Sequence, residues 1–226
     1  MTEPWWKIAA SYLWPIHIES RSSDYNPELY IELSKGRYQL STANAIYSHE
    51  DKYDNFGEIL TNRLDLSQIG DEVLILGLGL GSIPIILDTV DPGRWSITAV
   101  EIDEEVVDLA TIYAYPKILS DINTISTDAA IYVDIDSRQY DLICIDLFIG
   151  DKTPLKFQSL AFLSKIKELL TPEGIVIYNT LAFTKEDKKI SESFFEERFR
   201  EVYRDAEMIY AHRNYMLIND KRWIRR

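Results

Sequence analysis

The stretch VLILGLGLGSIPIIL, residues 73–87, constrains this chain more than any other. Its apolar start suits a strand buried on both faces of a parallel sheet. Three glycines, Gly77, Gly79 and Gly81, then interrupt the run, and SIPIILDTV predicts a helix that tolerates Pro84 in its first turn. Glycines at such a junction mark a bulge, a tight bend or a ligand lying against the main chain. The start of the following helix adds partial positive charge.

The same alternation continues downstream. WSITAVEID predicts a strand, EEVVDLATIY a helix, and INTISTDA, YDLICIDLF and GIVIYNTL further strands. Between the last two, LKFQSLAFLSKIKELL has helical spacing and stops at TPEG. ISESFFEERFREVY puts Ile190, Phe194, Phe195, Phe199 and Val202 on one helical face, as core packing. NYMLIND reads as a last strand and KRWIRR as a solvated basic tail. Strands alternating with helices predict a Rossmann-like α/β fold, with a mostly parallel sheet covered on both faces.

Residues 1–60 have another texture, rich in tyrosine and carrying Trp5, Trp6 and Trp14. ELYIELSKGRYQLS reads as a β-hairpin around SKG, and AIYSHEDKYDNFGEILTNRLDL as a turn followed by a helix. The expected division is a small N-terminal β domain over 1–60 and a nucleotide-binding domain over 61–226.

Charge and composition remove several classes. A formal charge of −13 over 226 residues repels nucleic acid. It suits a cationic small substrate, or serves solubility alone. The single cysteine, Cys144, excludes a disulfide framework and sits in an apolar run as a buried thiol. His17, His49 and His212 are scattered without metal-ligand spacing, so no metal is expected. No apolar run approaches the ~20 residues of a membrane span, and the N-terminus lacks a signal-peptide pattern. A cytoplasmic protein without membrane or nucleic-acid partners is expected.

Ligands of open α/β sheets lie beyond the carboxyl ends of the strands, and four ends here carry chemistry. The first ends in the glycine loop. The second ends at Glu101, beside Ile102, where a carboxylate can accept both hydroxyl hydrogens of a ribose. The third ends at Asp128-Ala129, where an acid next to a small residue can accept from adenine N6. The fourth ends at Asp146, beside the substrate position. This set describes a site for an S-adenosyl nucleoside. A dinucleotide reading lacks pyrophosphate space and an identifiable catalytic group.

With those residues in hand, the chain resembles the spermidine synthase (aminopropyltransferase) family within the class I methyltransferase fold, through most of residues 37–180. AIYSHEDKYDNFGEI resembles the segment that leads into the nucleotide domain, VLILGLGLGS the glycine motif, AVEIDEEVV the ribose strand, STDAA the adenine turn and YDLICIDLF the catalytic strand. The resemblance implies S-adenosylmethionine or its decarboxylated form as donor, and a small acceptor such as an amine or polyamine. It also implies cofactor contacts from Gly77, Gly79, Leu80, Gly81, Glu101, Ile102, Asp128 and Ala129, and Asp146 as the catalytic group.

Tyr47, His49, Phe148 and Asp151 are weaker substrate candidates, and Lys52 a candidate for the methionine carboxylate. The aromatic N-terminus packs the small domain or forms the homodimer contact that the resemblance implies. The chain departs from the family at several places, among them Tyr47 for a glutamine of the entry segment and a shortened loop before Tyr215. Leu80 stands where the family's glycine loop holds an aspartate, Ile149 replaces a second catalytic aspartate, and Phe56-Gly57 replaces a tyrosine–glutamine pair. Without the loop carboxylate a decarboxylated donor's ammonium loses a charge-assisted contact, so methyl transfer is favoured. Aminopropyl transfer, and nucleoside binding without turnover, are the alternatives.

Overall fold

The structure, a computed structural model, describes residues 3–42, 46–148 and 152–225. It contains two sheets. The first is antiparallel, with strands β1 (Ile16–Arg21), β2 (Leu29–Ser34), β3 (Arg37–Ser41) and β4 (Ile46–Ser48) in that order. A short helix, α1 (Trp5–Ala10), precedes it and buries none of its residues. The expected hairpin is β2–β3, with Ser34 opposite Arg37. Its two turn residues, Lys35 and Gly36, have positive φ of 52° and 75°, the conformation that a tight hairpin turn demands. Sequence patterning missed β1 and α1, because β1 is only partly buried and α1 has no apolar face against the core.

Helix α2 (Asp54–Gly57), continued as a wide turn over Glu58–Arg63, leads into the second sheet. Its parallel strands are β5 (Glu72–Leu76), β6 (Ser96–Glu101), β7 (Asp121–Ser126), β8 (Tyr140–Ile145) and β9 (Leu170–Leu181). The connecting helices are α3 (Ser82–Val90), α4 (Glu104–Tyr113), α5 (Ala129–Ile135) and α6 (Leu160–Glu168). After α7 (Lys185–Phe194) and its extension to Val202, β10 (Glu207–Ala211) and β11 (Asn214–Ile218) form an antiparallel hairpin. The strand order is β10-β11-β9-β8-β5-β6-β7. Strand order therefore reverses beside β5, and the crevice at its carboxyl end is where such sheets bind ligands.

The core follows the predicted pattern. Leu74 and Leu76 of β5 face one side of the sheet, with Ile143, Phe162 and Phe199. Val73 and Ile75 face the other, with Ile83, Leu87 and Trp95. A third cluster joins the small sheet to the large one, placing Leu29, Ile31 and Leu40 against Val106, Leu109 and Tyr113 of α4. Polar contacts reinforce that joint. The Tyr113 hydroxyl donates to Glu19 at 2.6 Å, and Asp103 accepts from Ser23 Oγ at 2.5 Å and Asn26 Nδ2 at 2.8 Å.

Two sequence expectations need correction, and one strand was missed. KRWIRR is no free tail: Ile224 pairs with Leu64, and the Asp65 amide donates to the Trp223 carbonyl at 3.0 Å. Ile190 is exposed, whereas Phe194, Phe195 and Phe199 are buried, because the buried line of α7 runs through Ser191 and Phe194 and leaves Ile190 to one side. β10 went unseen, since its half-buried EMIYA follows the helix without a strong turn signal.

Candidate functional site

A cavity of about 690 Å³ opens at the carboxyl ends of the parallel strands, within the range of small-molecule sites. Gly77 and Gly79 line it from the loop after β5, Glu101 and Ile102 from the end of β6, Asp128 and Ala129 from the start of α5, and Asp146 and Phe148 from the end of β8. Tyr47 reaches the wall from β4, and Tyr25 and Asn26 from the β1–β2 connection.

The glycine loop fits tightly around the protein's own atoms. A Cβ on Gly77, whose φ is +91°, would meet the Asp146 carbonyl oxygen at 2.2 Å. One on Gly79 would meet the Tyr47 carbonyl oxygen at 3.3 Å, and one on Gly81 would meet Ala114 Cβ at 3.1 Å. The space that the missing side chains vacate is therefore filled by neighbouring chain, and only the main chain of Gly77 and Gly79 faces the cavity. Gly81 precedes α3 with φ of 78° and lies off the wall. Leu80 also lies off the wall, fully buried with Leu40, Val106 and Tyr113.

Glu101 takes four backbone N–H groups. Leu78 and Gly79 donate to Oε2 at 3.1 and 3.2 Å, and Ile102 and Asp103 donate to Oε1 at 2.9 and 3.2 Å. Burial pushes this carboxyl up, and the amides oppose that by favouring the ionised form. The carboxylate thus shapes the glycine loop as well as facing the cavity. Asp128 caps α5 by accepting from the Ala130 amide at 2.7 Å and pairs with Lys156. Burial raises its carboxyl, and Lys156 with the amide more than offsets that, holding it below the ordinary carboxylate range.

Asp146 stands beside them, its own amide donating to the Leu76 carbonyl at 2.8 Å. Tyr53 Oη donates to Asp146 Oδ2 at 2.8 Å, and Asn179 Nδ2 donates to Oδ1 at 2.8 Å. Asn214 Nδ2 donates in turn to Asn179 Oδ1 at 2.8 Å. Burial pushes the Asp146 carboxyl up to about 6, against the two donors. Such a group is a carboxylate at neutral pH and can still take a proton, as a general base must. Glu101, Asp103, Asp128, Asp146 and Asp187 outnumber the cations Lys156 and Arg213 along the wall, which favours a cationic guest.

Two candidates stand elsewhere. The ring of His49 contacts the Ser34 carbonyl at 3.1 Å, and its amide donates to Ser82 Oγ. Lys52 is half exposed beside Asp51. Neither lines the cavity. Asp151 and Ile149 lie outside the described residues. Cys144 is buried, and burial pushes its thiol up, which keeps it unreactive. No group of metal-ligating side chains occurs among the described residues, and no described helix is long and apolar enough to cross a membrane.

The sequence reading missed Tyr53, Asn179, Asn214 and Lys156. Asn179 had a signal, since a polar amide interrupts the apolar run GIVIYNTL near the carboxyl end of its strand. Tyr53 had none, because its approach to Asp146 spans 93 positions.

No protein-family model matches the chain. It is 31% identical over 118 residues to a polyamine aminopropyltransferase of Vibrio vulnificus, a match covering 51% of this chain and 39% of that relative. The fold superposes on spermidine synthase from Thermotoga maritima with a TM-score of 0.68, at 17% identity, over 90% of this chain and 72% of that one. It also superposes on human methyltransferase-like protein 13 in complex with SAH, with a TM-score of 0.56, at 25% identity, over 74% and 75% of the two chains. The fold is that of the class I methyltransferases. Within that class the chain is spermidine synthase-like.

Proposed function

We propose that the cavity binds an S-adenosyl nucleoside sulfonium and that the protein transfers its methyl group to a small, amine-bearing acceptor. The observation that carries this reading is the convergence of the glycine-loop main chain, Glu101, Asp128 and Asp146 on one cavity of about 690 Å³. Glu101 and its loop would hold the ribose, Asp128 the amino edge of the base, and the acidic wall the sulfonium. The sulfonium supplies the leaving group, so the protein's own work is alignment and proton removal. Asp146 takes the acceptor's proton, while Tyr53 and Asn179 each hold one of its oxygens.

The choice of methyl over aminopropyl rests on how an ammonium is partnered. S-adenosylmethionine carries its own carboxylate beside its amine, whereas the decarboxylated donor needs one from the protein. The loop 77–81 contains no acid. Loss of one charge-assisted contact of about 1.5–3 kcal/mol weakens that donor roughly ten- to a hundredfold. Aminopropyl transfer is the second reading, favoured by the similarity to the Vibrio aminopropyltransferase and by the further acid Asp187 on the cavity wall. Calorimetry with both donors separates the two. Tighter binding of S-adenosylmethionine is expected. Tighter binding of the decarboxylated form, with a new triamine after incubation with putrescine, would reverse the assignment.

A further inference from the structure

Glu101, Asp103, Asp128 and Asp187 each accept at least one backbone N–H, whereas the hydrogen bonds to Asp146 come from side chains. Those side chains come from separate parts of the chain. Tyr53 immediately precedes α2, its ring stacked on Phe56 with centroids 6.0 Å apart. Asn179 is 1% exposed near the end of β9, and Asn214 on the adjoining β11 satisfies its oxygen. That second contact fixes the amide, turning its nitrogen and not its oxygen toward Asp146. A carboxylate has about four lone-pair sites. One donor on each oxygen therefore clamps the plane of the group and leaves capacity for a proton from the cavity.

Resting on the transferase reading above, we propose that Tyr53 and Asn179, the latter oriented by Asn214, are positioning residues that hold Asp146 as the proton acceptor for the incoming nucleophile. In that step the nucleophile's lone pair forms the bond to the transferred carbon. The carbon–sulfur bond breaks with its electron pair left on sulfur, and the nucleophile's proton passes to Asp146. Both positioning groups stay donors throughout. Burial, with the Asp146 charge beside it, pushes the Tyr53 phenol well up, so it does not ionise. The other groups near Asp146 are the buried Cys144 thiol on its own strand and Asn55 beside Tyr53, with Glu101 and Asp187 elsewhere on the wall.

The test follows the Asp146 carboxyl by carbon-13 NMR across pH, its signal identified by its loss in Asp146→Asn. The parent should titrate at about 6. Tyr53→Phe removes a hydrogen bond to the charged form and should raise that midpoint by about one pH unit. Asn214→Ala frees the Asn179 amide and should raise it by about half as much. A merely structural role for Tyr53 would alter thermal stability and leave the midpoint in place. A Tyr53→Phe midpoint within about 0.2 of the parent, or below it, overturns the proposal. Titration with S-adenosylhomocysteine runs in parallel. A shifted midpoint in a parent protein that does not bind this compound supports the clamp on Asp146 and overturns the transferase reading.

Discussion

Two half-buried carboxylates flank the end of β5, and they are held in opposite ways. Glu101, at the end of β6, is surrounded by amides of its own loop and the neighbouring glycine loop. Asp146, at the end of β8, is held by side chains from α2's leading edge and from β9. The backbone-held acid ties its own loop to the glycine loop, and its removal should loosen both. Under the proposed function the side-chain-held acid serves the chemistry, and the fold should tolerate its neutralisation. A nucleoside half built from main chain and an acceptor half built from side chains is what the contrast implies.

The largest expected effect falls on the acceptor half. Asp146→Asn should lower transfer by about a thousandfold, within the range of lost general-base catalysis, while S-adenosylhomocysteine affinity stays within a few-fold. The same variant should be more stable at pH 7.5 by about 2 kcal/mol. The sign follows from linkage. Burial raises the folded Asp146 above its unfolded value, so the folded state binds the extra proton between about pH 4 and 6. Its contribution to stability is present below that window and lost as pH rises through about 6, leaving a buried charge that asparagine removes. Urea unfolding at pH 5 and pH 7.5 checks this, because the difference between variant and parent should shrink at the lower pH.

On the nucleoside half, Gly77→Ala should cost about 3 kcal/mol or more, since its Cβ meets a carbonyl oxygen at 2.2 Å in left-handed backbone. Gly79→Ala, with its nearest atoms at 3.3 Å, should cost about 1–2 kcal/mol. Equal costs in thermal denaturation would mean that the loop is looser than its packing implies. Glu101→Gln turns an amide N–H toward two backbone donors and should cost about 1–3 kcal/mol, with a loss of nucleoside affinity. The smallest effect belongs to Lys156→Ala. Its pair with Asp128 is half exposed, and removing it should change stability by less than about 1 kcal/mol.

The same contrast explains what could be read in the sequence. Strand ends, the glycine loop and Glu101 follow from local periodicity and chain direction, and VLILGLG, AVEID and STDAA each put residues on the cavity wall. The sequence could not say which way a residue within the loop points. Leu80 neighbours two wall glycines yet is buried among Leu40 and Val106, because the alternation of the loop turns it toward α4. Tyr53 and Asn179 were illegible for a different reason: their meeting depends on how α2 and β9 pack around β8, a long-range outcome with no local pattern. His49 and Lys52 belong to the same segment, AIYSHEDKYDNFGEI, as Tyr47, but the chain turns after β4 and carries them away from the cavity.

The division of labour between the two acids is tested most directly by calorimetric titration of S-adenosylhomocysteine into the parent, Asp146→Asn and Glu101→Ala proteins. The account predicts binding by the parent, affinity within a few-fold of it for Asp146→Asn, and a loss of at least about tenfold for Glu101→Ala. A parent that does not bind, or a loss confined to Asp146→Asn, would contradict it.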